Sequence, residues 1–124
     1  MPFIPASKAR IFELPGARFA GLAAPSSGAR ENSVWMVTLQ PGAPVVPHAL
    51  TREETFVAVA GAAKATIAGE EHDMTVGSAL VVPAGVEFGL ANPHDEPFQA
   101  VVVMPVGGQA MLANEAPFTP PWAQ

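Results

Sequence analysis

Apolar residues in this chain recur in short runs, many with a two-residue period, and each run is closed by Gly, Pro or a polar cluster. Side chains two apart on an extended chain share a face, so the pattern reads as strands. Residues 1 to 8 are expected to be an extended lead-in, because Pro2 and Pro5 oppose helix. Ala9 to Leu14 and Arg18 to Ala23 follow as two strands predicted to pair as a hairpin, bounded by Pro15-Gly16 and by Pro25-Ser26-Ser27-Gly28. Ser33 to Gln40 is the next strand, with Trp35, Val37 and Leu39 on an interior face and Met36 and Thr38 on the other.

After Pro41-Gly42 a strand is predicted over Val45 to Leu50, and from Glu54 the same period puts Glu54, Phe56 and Ala58 on one face and Thr55, Val57 and Val59 on the other. Gly61 breaks that strand. Ala62 to Ala68 and His72 to Thr75 read as a hairpin around Gly69-Glu70, and Ala79 to Val82 as a short apolar strand buried on both faces. Pro83-Ala84-Gly85 is a tight turn into Val86 to Leu90, with Val86, Phe88 and Leu90 on one face, and Phe98 to Met104 is the closing strand. About ten short strands with no helical period argue for an all-β sandwich or barrel.

Composition narrows the reading. At 124 residues the chain fits one domain, 1–124, with a core region of about residues 9–106 and an irregular tail over 107–124. Fourteen Pro and eleven Gly are spread between the apolar runs, as an all-β domain with many turns requires. Six Lys and Arg against eleven Asp and Glu leave a net charge of -5 without a basic cluster, which argues against nucleic acid. The absence of Cys excludes disulfides and thiolate chemistry. The opening residues lack a signal-peptide pattern, and the apolar runs fall well short of the roughly 20 residues of a membrane helix. The expectation is a cytoplasmic protein with no membrane partner. Phe118 and Trp122 make the tail too apolar to hang in water, so it is expected to pack on the barrel or on a second subunit, and a homodimer is predicted.

Two glycine-bounded motifs carry the candidate chemistry. The first runs Gly42, His48, Leu50, Glu54, Gly61; the second runs Gly77, Pro83, Gly85, Phe88, Asn92. In spacing they resemble the two signature motifs of the cupin superfamily, whose first motif carries two histidines and a glutamate and whose second carries a third histidine. The resemblance implies a cupin-type jelly-roll β-barrel, a double-stranded β-helix, with Glu54 pointing inward. It also implies a divalent metal in the barrel, but Leu50 and Phe88 stand where two of the four ligands belong, and neither offers a lone pair.

His48 and Glu54 are therefore the candidate catalytic residues, and the metal ligands if a metal binds at all; a metal cofactor is disfavoured. As a buried pair they could move a proton, or merely satisfy each other. His94 and His72 read as a loop and a hairpin residue outside the site, Arg52-Glu53 as a solvated charge pair, and the motif glycines and Pro83 as turn residues. Two apolar side chains in place of imidazoles favour an apolar ligand over a hydrated ion, unless Leu50 and Phe88 simply fill the core. The predicted ligand pocket is Trp35, His48, Leu50, Glu54, Phe56, Phe88 and Leu90.

The leading expectation is a metal-free cupin that holds a small, largely apolar organic molecule. The alternative is a metal-dependent or acid-base enzyme, isomerase-like or dioxygenase-like, using His48 and Glu54. A third is a stability or interaction module with a solidly packed interior.

Overall fold

The computed structural model describes residues 2–124. It is all-β: eleven strands with three short 3-10 turns and no α-helix among the described residues. In chain order the strands are β1 (Arg10–Leu14), β2 (Ala17–Ala23), β3 (Asn32–Leu39), β4 (Ala49–Leu50), β5 (Glu54–Ala60) and β6 (Ala63–Ile67). There follow β7 (Glu70–Met74), β8 (Ala79–Val82), β9 (Phe88–Ala91), β10 (Phe98–Pro105) and β11 (Ala110–Met111).

Six strands form one antiparallel sheet in the order β1-β2-β3-β10-β5-β8. A three-stranded sheet, β7-β6-β9, and a two-stranded one, β11-β4, make up the rest. The two small sheets are tied together where His48 bridges Phe88, by hydrogen bonds of 3.0 and 2.9 Å. The predicted alternation holds in β3, where Trp35, Val37 and Leu39 are buried and Met36 and Thr38 half-buried. It holds in β5 as well, with Glu54, Phe56 and Ala58 buried and Val57 and Val59 exposed. The core is contiguous and runs from these two strands through Phe98, Ala100, Val102 and Met104 of β10.

Several expectations need correction. Residues 6 to 8 form a 3-10 turn instead of an extended segment. The strand predicted over Val45 to Leu50 shrinks to Ala49–Leu50, and Val45 and Val46 are exposed. Pro44 and Pro47 explain this, because neither has an N–H to give a ladder. The β6–β7 turn is Ala68-Gly69, both at positive φ, so Glu70 already belongs to a strand. Strand β8 is not buried on both faces; as the sheet edge it exposes Ala79 and Val81 while Val82 is buried. Val86 precedes β9 and lies outside it. The strand predicted over Phe98 to Met104 is present as β10, lying inside the large sheet between β3 and β5, and β11 follows it in the chain.

The tail is less irregular than its composition suggests. It contributes β11, a further bridge between Ala110 and Phe118, and a final turn in which Trp122 stacks on Phe19 at 3.7 Å between ring centroids. Gly21 makes room for this return, since a Cβ there would come within 3.0 Å of the Trp122 carbonyl oxygen. Arg10 and Ser26 donate to the Gln124 carbonyl oxygen at 2.9 and 2.6 Å, and Ser33 Oγ donates to the Ala123 carbonyl at 3.2 Å. The tail thus packs on the face of its own chain.

Candidate functional site: an apolar cavity with one buried carboxyl

Between the large sheet and the smaller ones lies a cavity of about 340 Å³. Its walls come from distant parts of the sequence, because antiparallel strands with inward side chains must meet across the interior. Strand β3 supplies Trp35, β5 supplies Glu54 and Phe56, and β9 supplies Phe88 and Leu90. His48 and Leu50 come from the segment around β4. All seven residues predicted from sequence therefore line one cavity. Leu50 and Phe88 are also core residues, 1 % and 2 % exposed, yet they leave the interior unfilled.

Sequence reasoning missed the outer part of the cavity. Leu14, Pro15 and Phe19 from the first hairpin line it, as do Leu112, Phe118 and Trp122 from the tail. The apolar character of Phe118 and Trp122 was a signal that the tail packs somewhere, but no local pattern tells which wall it completes.

Glu54 opens β5, opposite Val82 of β8, and its residue is 4 % exposed. Among the described residues no protein group hydrogen-bonds its carboxyl or pairs with it ionically. Burial pushes this carboxyl up from 4.5 to about 8, because the charged form loses hydration and gains no compensating partner. His48 is only half-buried, and its Nδ1 lies 2.8 Å from the Val46 carbonyl oxygen. A carbonyl can only accept, so Nδ1 donates. The His48 and Phe88 rings lie 4.5 Å apart, and Phe88 and Phe56 5.6 Å apart. The self-satisfied His48–Glu54 pair that the sequence left open is not formed: each faces the cavity without bonding the other.

The residues at the ligand positions do not fit a metal ion. His48 and Glu54 supply two donors, Leu50 and Phe88 none, and no three His, Cys, Asp or Glu side chains gather anywhere among the described residues. A divalent ion held by two protein groups would leave most of its coordination sphere to water, which an apolar wall disfavours. His94 and His72 stand outside the cavity; the His94 N–H donates to Asn92 Oδ1 at 3.0 Å, and His72 lies 3.8 Å from exposed Glu70. Arg52 and Glu53 are exposed.

The motif glycines serve the backbone. Gly42, Gly61, Gly77 and Gly85 all have positive φ, and at Gly61 a Cβ would collide with the Pro97 carbonyl oxygen. Asn92, buried at 2 %, donates through Nδ2 to the carbonyls of Leu39 at 3.0 Å and Glu96 at 2.8 Å, and so pins the end of β3 to the β9–β10 loop.

No curated protein matches the sequence. Among solved structures the chain resembles the polyketide cyclase RemF from Streptomyces resistomycificus, with TM-score 0.78 and 16 % identity over 94 % of this chain and 87 % of that one. It also resembles a sugar phosphate isomerase of the cupin superfamily from Silicibacter pomeroyi, with TM-score 0.72 and 20 % identity over 92 % and 83 %. A predicted oxalate decarboxylase from Thermotoga maritima superposes with TM-score 0.71 at 12 % identity, over 84 % and 98 %. Identities this low establish the common fold alone. Residues 35–104 match the cupin domain family. With that match spanning both glycine-bounded motifs, and with the fold shared across these structures, the chain belongs to the cupin superfamily.

Proposed function

We propose that this cupin binds a small, largely apolar organic molecule in the cavity between its sheets, which close as the two halves of a jelly-roll barrel. The observation that carries the reading is the cavity wall: about 340 Å³ of space lined by apolar side chains, with His48 and Glu54 the only titratable ones among the described residues. That volume lies at the lower end of the range of about 300–1,000 Å³ in which small-molecule sites fall. It also argues against the solidly packed module. No Lys or Arg lines the cavity, so a phosphate ester such as the isomerase's substrate class would find no counter-charge.

Both tryptophans of the chain, Trp35 and Trp122, line the cavity, so their two indole N–H resonances report occupancy directly. The test is titration with naphthalene and with n-decanol, read by those resonances and by calorimetry. Saturable binding of one molecule per chain is expected. If neither compound shifts either resonance, the reading fails.

A second reading, acid-base catalysis on the bound molecule, has one observation in its favour. A carboxyl with its pKa raised to about 8 keeps its proton at neutral pH and can donate it, and the His48 ring lines the same cavity. Resemblance to a polyketide cyclase is compatible with this chemistry. Turnover of an aromatic substrate that is lost in both Glu54→Gln and His48→Ala, with binding retained, would establish it.

Self-association belongs to the same proposal. With Trp122 packed on its own chain, the exposed Val57, Val59 and Val81 on the outer face of β5 and β8 offer the better contact for a homodimer. A dimer by light scattering that dissociates in a Val57→Lys, Val81→Lys double variant is the expected result.

A further inference from the structure

Among the described residues three polar side chains are buried, and two of them are provided for. Ser33 hydrogen-bonds the Ala123 carbonyl, and Asn92 bonds three backbone groups. Glu54 is the exception, with no partner from the protein among the described residues and its carboxyl on the cavity. The carboxyl oxygens stay accessible from the cavity, so their hydrogen bonds are completed by whatever fills that space, water or a ligand.

The rest of the wall describes that molecule further. The chain has seven Phe and two Trp, nine large aromatics, of which Phe19, Trp35, Phe56, Phe88, Phe118 and Trp122 line this one cavity. They come from the six-stranded sheet, the three-stranded sheet and the tail, so rings face the space from several sides. Aromatic walls favour flat rings, through stacked and edge-to-face contacts beyond simple area burial. An uncharged head group fits this wall best, because an anion would enter an apolar space without a cation, and a carboxyl with no charged neighbour bonds a neutral oxygen group without an ion having to be buried.

We propose that the ligand is a flat aromatic molecule carrying one uncharged oxygen group, a phenol or a ring carbonyl, that hydrogen-bonds the Glu54 carboxyl. This rests on the reading of the cavity as an apolar binding site and adds ring shape and head group to it. A carboxyl that keeps its proton, as burial makes this one do, both donates and accepts, which suits either a carbonyl or a phenol.

The test compares naphthalene, 2-naphthol, 2-naphthoate and n-decanol by calorimetry and indole resonances at pH 6.5, in wild type and in Glu54→Gln, Glu54→Met and Glu54→Leu. In wild type, 2-naphthol is expected to bind about fivefold more tightly than naphthalene, the worth of one net buried hydrogen bond. It should also exceed both 2-naphthoate and n-decanol. Glu54→Gln should keep the preference over naphthalene, since an amide also donates and accepts. Glu54→Met should abolish it, with Glu54→Leu as the second apolar variant if the first does not fold. Equal binding of 2-naphthoate or n-decanol, or a preference that survives in the apolar variants, overturns the proposal. If naphthalene binds and 2-naphthol is not favoured, only this proposal falls. If no probe binds, the cavity reading falls with it.

Discussion

Asn92 and Glu54 are both buried polar residues of the cupin motifs, yet they sit in opposite surroundings. At the Asn92 corner every polar atom of the side chain is used: Nδ2 reaches two carbonyls and Oδ1 accepts from the His94 N–H. At the Glu54 wall the carboxyl meets Phe56, Phe88 and Leu50 around an open space and has no protein partner among the described residues. The difference separates what a buried polar group does for a fold from what it does for a ligand. A group whose bonds are all made within the protein fixes backbone geometry, whereas one left open to a cavity is free to bond what enters it.

The comparison breaks most sharply at Asn92. Replacing it by Ala strands two carbonyls and one N–H, so Asn92→Ala should lower unfolding stability by about 3 kcal/mol or more in urea denaturation. Glu54→Gln, at a position equally buried, should leave stability at pH 7 unchanged or raised. If both variants lose stability alike, the contrast is wrong.

The next effect is in pH. Folded Glu54 keeps its proton up to about pH 8, while the unfolded chain releases it near 4.5, so between these values the folded state binds more protons. This contribution is full below the unfolded pKa and is lost as pH rises through the folded one. Stability of the wild type should therefore fall by on the order of 2 kcal/mol from pH 5 to pH 7, measured by denaturation at each pH. In Glu54→Gln that slope should vanish.

A smaller change is expected at the outer wall. Trp122→Ala removes the stack on Phe19 and opens the cavity beside the tail, at a cost of about 1–2 kcal/mol because Trp122 is only half-buried. Thermal unfolding measures the loss, and a weaker affinity for naphthalene should accompany it. The smallest effect belongs to His48→Ala. His48 is half-buried and its one side-chain hydrogen bond is to a neighbouring carbonyl, so stability should shift by less than about 1 kcal/mol. Elemental analysis should give well under one transition metal per chain before and after the change, as the donor set at Leu50 and Phe88 dictates.

The strands were legible wherever alternation was strong and the turn residues were explicit. Trp35, Val37 and Leu39 alternate without interruption, and the same holds from Glu54 to Ala58, because inward and outward side chains in these strands face very different surroundings. Alternation failed where one residue type served two environments. Ala79 to Val82 is uniformly apolar, yet it is an edge strand with exposed Ala79 and Val81, and composition alone does not tell an edge from a centre. Val45 to Leu50 looked like a strand by its valines, but Pro44 and Pro47 remove the donors that a ladder needs.

The sequence by itself determined the all-β class, the two motifs and the inward set from Trp35 to Leu90, because these depend on local periodicity and fixed spacing. It also determined that Leu50 and Phe88 stand at two positions where the resemblance to the cupin motifs implies metal ligands. Tertiary structure decided that these side chains leave a cavity instead of filling it, since volume depends on how the two sheets are spaced and not on any one strand. It decided that Glu54 and His48 share that cavity without bonding each other, a matter of side-chain direction after the turn between them. And it decided that the tail returns to Phe19 and supplies Phe118 and Trp122 as a wall, because a contact between residues a hundred positions apart leaves no local trace in the chain.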